Sequence, residues 1–136
     1  SLTARIENIE VRYAGQFGRL GRYPIHFHMI GAVRNSYVRK NSIHHTYNRA
    51  IAIHGVHYLR GQDNVAFEGR GHQYFVEDGL ETKNVITGNL GANTRQSFSG
   101  LNSDATPATY WLVNGDNYVE RNIAAGSTHY GFWFFP

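Results

Sequence analysis

The chain has 136 residues, a formal net charge of +3, 15 Gly, three Pro and no Cys. That length holds it to one domain, the lack of Cys excludes disulfides, thiol catalysis and Cys-based zinc patterns, and no apolar run is long enough to cross a bilayer. The charge is uneven: residues 1–60 carry nine Arg or Lys against two Glu, and residues 61–136 carry four against eight Asp or Glu, a split that either attracts an anionic polymer to one end or decorates solvated turns.

Taken along the chain, short apolar-alternating strands recur between Asn and Gly turns, and no window keeps helical apolar spacing, so the chain reads as all-β. Asn8 opens the first unit, and Ala14 to Gly21 is a Gly-rich loop before the strand Ile25-His26-Phe27-His28. Tyr37-Val38-Arg39-Lys40-Asn41-Ser42-Ile43 comes next, then His44, His45, Tyr47 and Arg49, then the strand Ile51-Ala52-Ile53-His54. After Asn64 comes Tyr74-Phe75-Val76-Glu77 with an Asp78-Gly79 turn signal, and after Asn89 a second polar loop from Gln96 to Pro107. Tyr110-Trp111-Leu112-Val113 and Phe132-Trp133-Phe134-Phe135 close the series, with Tyr118-Val119-Glu120-Arg121-Asn122-Ile123-Ala124 between them as a near copy of the phrase at Tyr37.

Asn8, Asn41, Asn64, Asn89 and Asn122 fall 33, 23, 25 and 33 residues apart. A period of roughly 22 to 25 residues built from short strands and turns predicts a single-stranded parallel β-helix of about five to six coils, with the two longer intervals taken up by the two loops. The chain begins without Met and ends on an apolar strand, and a solenoid end is normally capped by polar residues, so further coils are expected in a parent protein.

Alternation sorts the side chains. With Ile25, Phe27, Ile51, Ile53, Tyr74, Val76, Tyr110, Leu112, Phe132 and Phe134 inward, two outward ladders follow, spaced by about 4.8 Å per coil. One runs His26, Ala52, Phe75, Trp111, Trp133; its aromatic rings suit the C–H faces of sugars as substrate-binding platforms, or form core beneath a covering loop. The other runs His28, His54, Glu77, Val113, Phe135. In it His26-X-His28 with His54 is a candidate divalent-metal set, against the alternative of imidazoles bonded along the stack. Glu77 and Asp78, with His54, are candidate catalytic groups for glycoside cleavage, on condition that the strand ends at Glu77 and turns at Asp78-Gly79. Arg22, His45 and Arg49 are candidate basic contacts for carboxylates or sulfates. No Ser-nucleophile motif, phosphate-cradling loop or nucleic-acid recognition motif is present.

Several of these phrases together resemble a known family: Gly21-Arg22-Tyr23-Pro24-Ile25-His26-Phe27-His28, Ser42-Ile43-His44-His45-Thr46-Tyr47-Asn48-Arg49, Ile53-His54-Gly55, Gly71-His72, Glu77-Asp78-Gly79, Asn89-Leu90, Trp111 and Ala124-Ala125-Gly126-Ser127. The resemblance is to the β-helix segment that follows the G8 domain in two related groups, the fibrocystin-L group and the group of cell migration-inducing hyaluronan-binding proteins and transmembrane hyaluronidases. Asp104-Ala105-Thr106-Pro107-Ala108-Thr109-Tyr110-Trp111 and the short connection before it are more similar to the fibrocystin-L branch; the hyaluronan-degrading branch carries a longer, Cys-containing insertion there. The resemblance implies a right-handed β-helix in an extracellular or cell-surface part of a large protein, such as a ciliary membrane or coat. It implies a scaffold or adhesion module whose partners are neighbouring domains, with hyaluronan-type polysaccharide binding or hyaluronidase activity at His26, His28, His54, Glu77 and Asp78 as the alternative. Neither nucleic acid nor direct membrane insertion by this segment is expected.

Overall fold

In the computed structural model, which describes residues 2–136, the apolar runs form short strands that wind through three parallel sheets of five strands each. The first sheet holds β1 (Arg5–Glu7), β4 (Tyr37–Arg39), β7 (Arg60–Gln62), β10 (Val85–Thr87) and β13 (Tyr118–Glu120). The second holds β2 (Glu10–Arg12), β5 (Ser42–Thr46), β8 (Val65–Gly69), β11 (Leu90–Thr94) and β14 (Ile123–Ser127). The third holds β3 (Ile25–Ala32), β6 (Ile51–His57), β9 (Tyr74–Val76), β12 (Ala108–Leu112) and β15 (Tyr130–Phe134). Each coil lends one strand to each sheet, so the chain is a parallel β-helix of five coils. Among the described residues, no helix is long and apolar enough to cross a membrane.

The expected register of the third sheet holds within the strands, whereas Glu77, Val113 and Phe135 lie just past the strand ends. Ile25, Ile51, Tyr74, Tyr110 and Phe132 form one column, and Ala52, Phe75, Trp111 and Trp133 another. Inside the coil, the rings of Tyr74, Tyr110 and Phe132 stack nearly parallel at 4.7 and 4.6 Å between centroids, the spacing of adjacent coils. Each such pair contributes about 0.5–1.5 kcal/mol beyond area burial. The buried hydroxyls are satisfied: Tyr74 Oη donates to the Asn64 and Leu90 carbonyls, and Tyr110 Oη to those of Asn89 and Ile123. Gly91 leaves room for this stack, because a Cβ there would collide with Thr109 and press on the Tyr74 ring.

At the corner between the first and second sheets, Asn41, Asn64, Asn89 and Asn122 form a column. Each carboxamide oxygen accepts from the backbone of the coil before it, and three of the four side-chain amides donate onward to the next carboxamide. The first place in this column belongs to Ile9, whose N–H donates to Asn41 32 residues on, and not to Asn8. Asn8 sits one step earlier, in the left-handed region with Lys40, Asp63, Gly88 and Arg121. A second, shorter column at the corner entering the first sheet joins Leu59, Asn84 and Asn117.

The two long loops fold over the aromatic side of the third sheet. Tyr23 from the first loop packs on Ala52 and Phe75, and Asp104 from the second accepts from Arg49 Nε at 3.2 and 3.0 Å. Arg49 also donates to Tyr23 Oη at 3.0 Å and lies over the Phe75 ring. Burial pushes the Asp104 carboxyl above its ordinary range, against the pull of the Arg49 guanidinium. His72 is buried against Phe75 and Trp111, accepting from the Ala108 N–H at Nδ1 and donating from Nε2 to Ser103 Oγ.

Candidate functional site

β3 and β6 are neighbours, with Phe27 and Ile53 pointing into the coil and His26, His28 and His54 pointing out. His28 stands opposite His54, and the register shifts between His28 and Gly31. β9 ends at Val76, yet Glu77 N–H still donates to the Ile53 carbonyl, which keeps Glu77 beside His54. The chain then turns at Asp78-Gly79, with Gly79 at φ +78°. The turn brings Asp78 round to the same histidine as Glu77, as the Asp-Gly signal required.

Glu81 holds this turn, and sequence reasoning missed it. Its side chain is fully buried, and Oε1 accepts from the Gly55 and Asp78 N–H groups at 3.0 and 3.2 Å. One carboxylate thus fixes the residues that follow His54 and Glu77. The only sequence signal is an acidic residue three places after Asp78 at a turn, and this pattern is common on solvated surfaces.

The imidazoles are oriented from behind. His26 Nδ1 donates to the Gly21 carbonyl at 3.0 Å, which leaves Nε2 as a lone pair, buried and without a hydrogen-bond partner. His54 Nε2 donates to Asp78 Oδ2 at 2.5 Å, which leaves Nδ1 facing His28 Nδ1 at 3.1 Å and Glu77 Oε2 at 3.4 Å. One nitrogen from each of His26, His28 and His54 falls within 4.8 Å of the others, and His54, Glu77 and Asp78 form a second such set. Among the described residues, these are the groups able to hold a metal ion. Burial lowers the His26 pKa against the pull of the Gly21 carbonyl, with His28 and His54 adding to the lowering. Burial raises the Glu77 carboxyl, opposed by His54 and Arg49 and reinforced by Asp78 and Glu81. His26, His28, His54 and Glu77 line an open cleft of about 480 Å³ together with Leu20, Gly21 and Arg22.

The remaining candidates divide. Arg22 borders the cleft. Trp111 and Trp133 stack at 5.4 Å and are half-buried, whereas Phe75 and Arg49 are 5% exposed. The expectation that Phe75 and Arg49 contact substrate is corrected: the loops cover both, and Arg49 is committed to Asp104. His45 lies apart from the cleft, in a groove of about 540 Å³ with Tyr13, Tyr47, Glu68, Arg70 and Arg95. A third depression shares Tyr13 with the groove and Arg22 with the cleft.

Fibrocystin-L of Mus musculus is 48% identical over 134 residues, covering 98% of this chain and 3% of that protein, and human fibrocystin-L is 47% identical over the same length. The mouse cell migration-inducing and hyaluronan-binding protein is 34% identical, covering 96% of this chain and 12% of its own length. That second alignment runs over 162 positions, more than this chain contains, so the relative carries residues absent here. The chain thus spans a small fraction of the curated relatives it matches. A family model described as CEMIP beta-helix matches residues 1–136, and with these identities and the observed fold, the chain belongs to the CEMIP beta-helix family.

Proposed function

We propose that the chain is a scaffold and adhesion module of a large extracellular or cell-surface protein, and that it engages an acidic polysaccharide of the hyaluronan type. The observation that carries this reading is the run of three neighbouring depressions, the His54 cleft sharing Arg22 with the next and that one sharing Tyr13 with the groove of Tyr47, Arg70 and Arg95. Tyr13 and Tyr47 are 60% and 44% exposed, offering flat faces to sugar rings, and Arg22 and Arg70 have no carboxylate partner among the described residues. A linear chain of uronate-bearing sugars matches both features, and the names of the relatives that bind or cleave hyaluronan agree with it. The test is retention of the full-length protein on immobilised hyaluronan. Arg22→Ala with Arg70→Ala is expected to weaken it about tenfold, each exposed ion pair contributing up to about 1 kcal/mol. Absence of retention by the unaltered protein overturns the reading.

A hydrolase is the second reading, favoured by the turn that brings Glu77 and Asp78 onto one histidine. Their oxygens fall within 4.8 Å, nearer the roughly 5 Å of a retaining pair than the wider gap of an inverting one. Glu77, which burial favours in its protonated form, would protonate the glycosidic oxygen, with Asp78 as nucleophile. Glu77→Gln then abolishes release of reducing ends from hyaluronan; no release by the unaltered protein ends this reading.

A further inference from the structure

We propose that the cleft is a four-coordinate site for a zinc-type divalent ion, bound by His26 Nε2, His28 Nδ1, His54 Nδ1 and Glu77 Oε2. The first support is the second shell. A neutral imidazole has one lone-pair nitrogen, and which one is set by the partner of the other. The Gly21 carbonyl fixes the proton of His26 on Nδ1 and the Asp78 carboxylate fixes that of His54 on Nε2. Both free lone pairs therefore belong to the atoms that meet in the cleft. Carbonyl and carboxylate partners of this kind are the usual supports of metal-bound histidines.

The second support is spacing. Metal–nitrogen bonds of about 2.0–2.1 Å in a tetrahedron place ligand atoms about 3.3 Å apart. His28 Nδ1 lies 3.1 Å and Glu77 Oε2 3.4 Å from His54 Nδ1. One nitrogen of His26 lies within 4.8 Å of one from His28 and one from His54, while Glu77 groups with His54 and Asp78, so gathering the four ligands takes a swing of the His26 ring and of the Glu77 side chain toward His54.

The third support is that the atoms lack other business. His26 Nε2 and Glu77 Oε2 are both buried without a hydrogen-bond partner, although buried polar atoms are nearly always paired. One nitrogen, His28 Nδ1, and one carboxylate oxygen, Glu77 Oε2, crowd His54 Nδ1, an arrangement that calls for a positive centre between them. Three imidazoles with one carboxylate favour zinc, cobalt or nickel over calcium or magnesium, which take all-oxygen shells. The ligands come from three successive coils, so the ion would staple them. The site stands apart from the polysaccharide reading, because the metal is titrated without any glycan. It does exclude Glu77 as proton donor while the ion is bound.

The experiment is titration of the folded, metal-stripped chain with Co²⁺ and Zn²⁺. One equivalent of Co²⁺ is expected to give the intense visible absorption of tetrahedral cobalt, and Zn²⁺ is expected to displace it. Zinc at a hundredfold excess over Kd is expected to raise Tm by about 10 °C. His28→Ala, at an exposed position that spares the core, abolishes the signal. Asp78→Asn keeps the stoichiometry and weakens affinity about 10- to 100-fold. His45→Ala, on the other groove, leaves both metals bound. No stoichiometric binding, or binding lost with His45→Ala and kept with His28→Ala, overturns the proposal.

Discussion

His72 shows how a single side chain ties the covering loop to pH. Its Nδ1 accepts a backbone N–H, so the ring must be neutral to keep that bond, and burial, with Arg49 nearby, pushes its pKa down to about 3. The unfolded chain takes up this proton near pH 6.5. Between about pH 6.5 and 3 the unfolded state therefore binds a proton that the folded state refuses, so stability falls as pH drops through that window and is unaffected by this group above it. The expected loss between pH 7.5 and 5.5 is about 1.4 kcal/mol. Urea unfolding at the two pH values measures it, and the difference between the native chain and His72→Gln isolates the group; equal slopes in the two would refute the assignment.

The strands and their columns were the most legible part of the sequence, because period-two alternation repeated in every coil allows one side-chain assignment. Ile25, Ile51, Tyr74, Tyr110 and Phe132 were placed by that argument alone, and so were the facing pairs His28 with His54 and Trp111 with Trp133. The Asn column departs from the spacing pattern at its first position, which Ile9 holds in place of Asn8. Left-handed φ favours Asn among residues with a side chain, so Asn8 fills the turn position before the ladder while looking like a rung of it. The burial of Arg49 and Phe75 was hidden because loop residues far along the chain, Tyr23 and Asp104, supply the cover. Imidazole tautomers and the clamp made by Glu81 were also hidden, since they follow from hydrogen bonds that only the assembled coils create. Within the ladder, position sets the cost of a change. Asn64→Ala leaves the Asn41 N–H and Val38 carbonyl without their partners inside the stack and is expected to cost about 2–4 kcal/mol. Asn122→Ala, at the half-buried last rung, is expected to cost about half of that in the same denaturation assay.

Across the molecule, two of the corners tolerate change differently. The corner between the first and second sheets is two residues wide in every coil and is crossed by the Asn column. The corner between the second and third sheets ranges from two residues between β14 and β15 to the loops holding Tyr23 and Asp104. Inserting Gly-Ser between Asp63 and Asn64 is expected to abolish cooperative unfolding. The same insertion between Ser99 and Gly100, at an exposed loop tip, is expected to shift the urea midpoint little. Comparable losses at both places would show that the columns do not set the fold's tolerance.

The Asn column thereby makes the coil itself the heritable unit. A lineage can lengthen this solenoid by duplicating whole turns, since a new rung accepts and donates as the old ones do. It can acquire new recognition surfaces most readily at the corner between the second and third sheets, whose connections already differ in length from coil to coil, and His26, Arg22 and Tyr13 all border that edge.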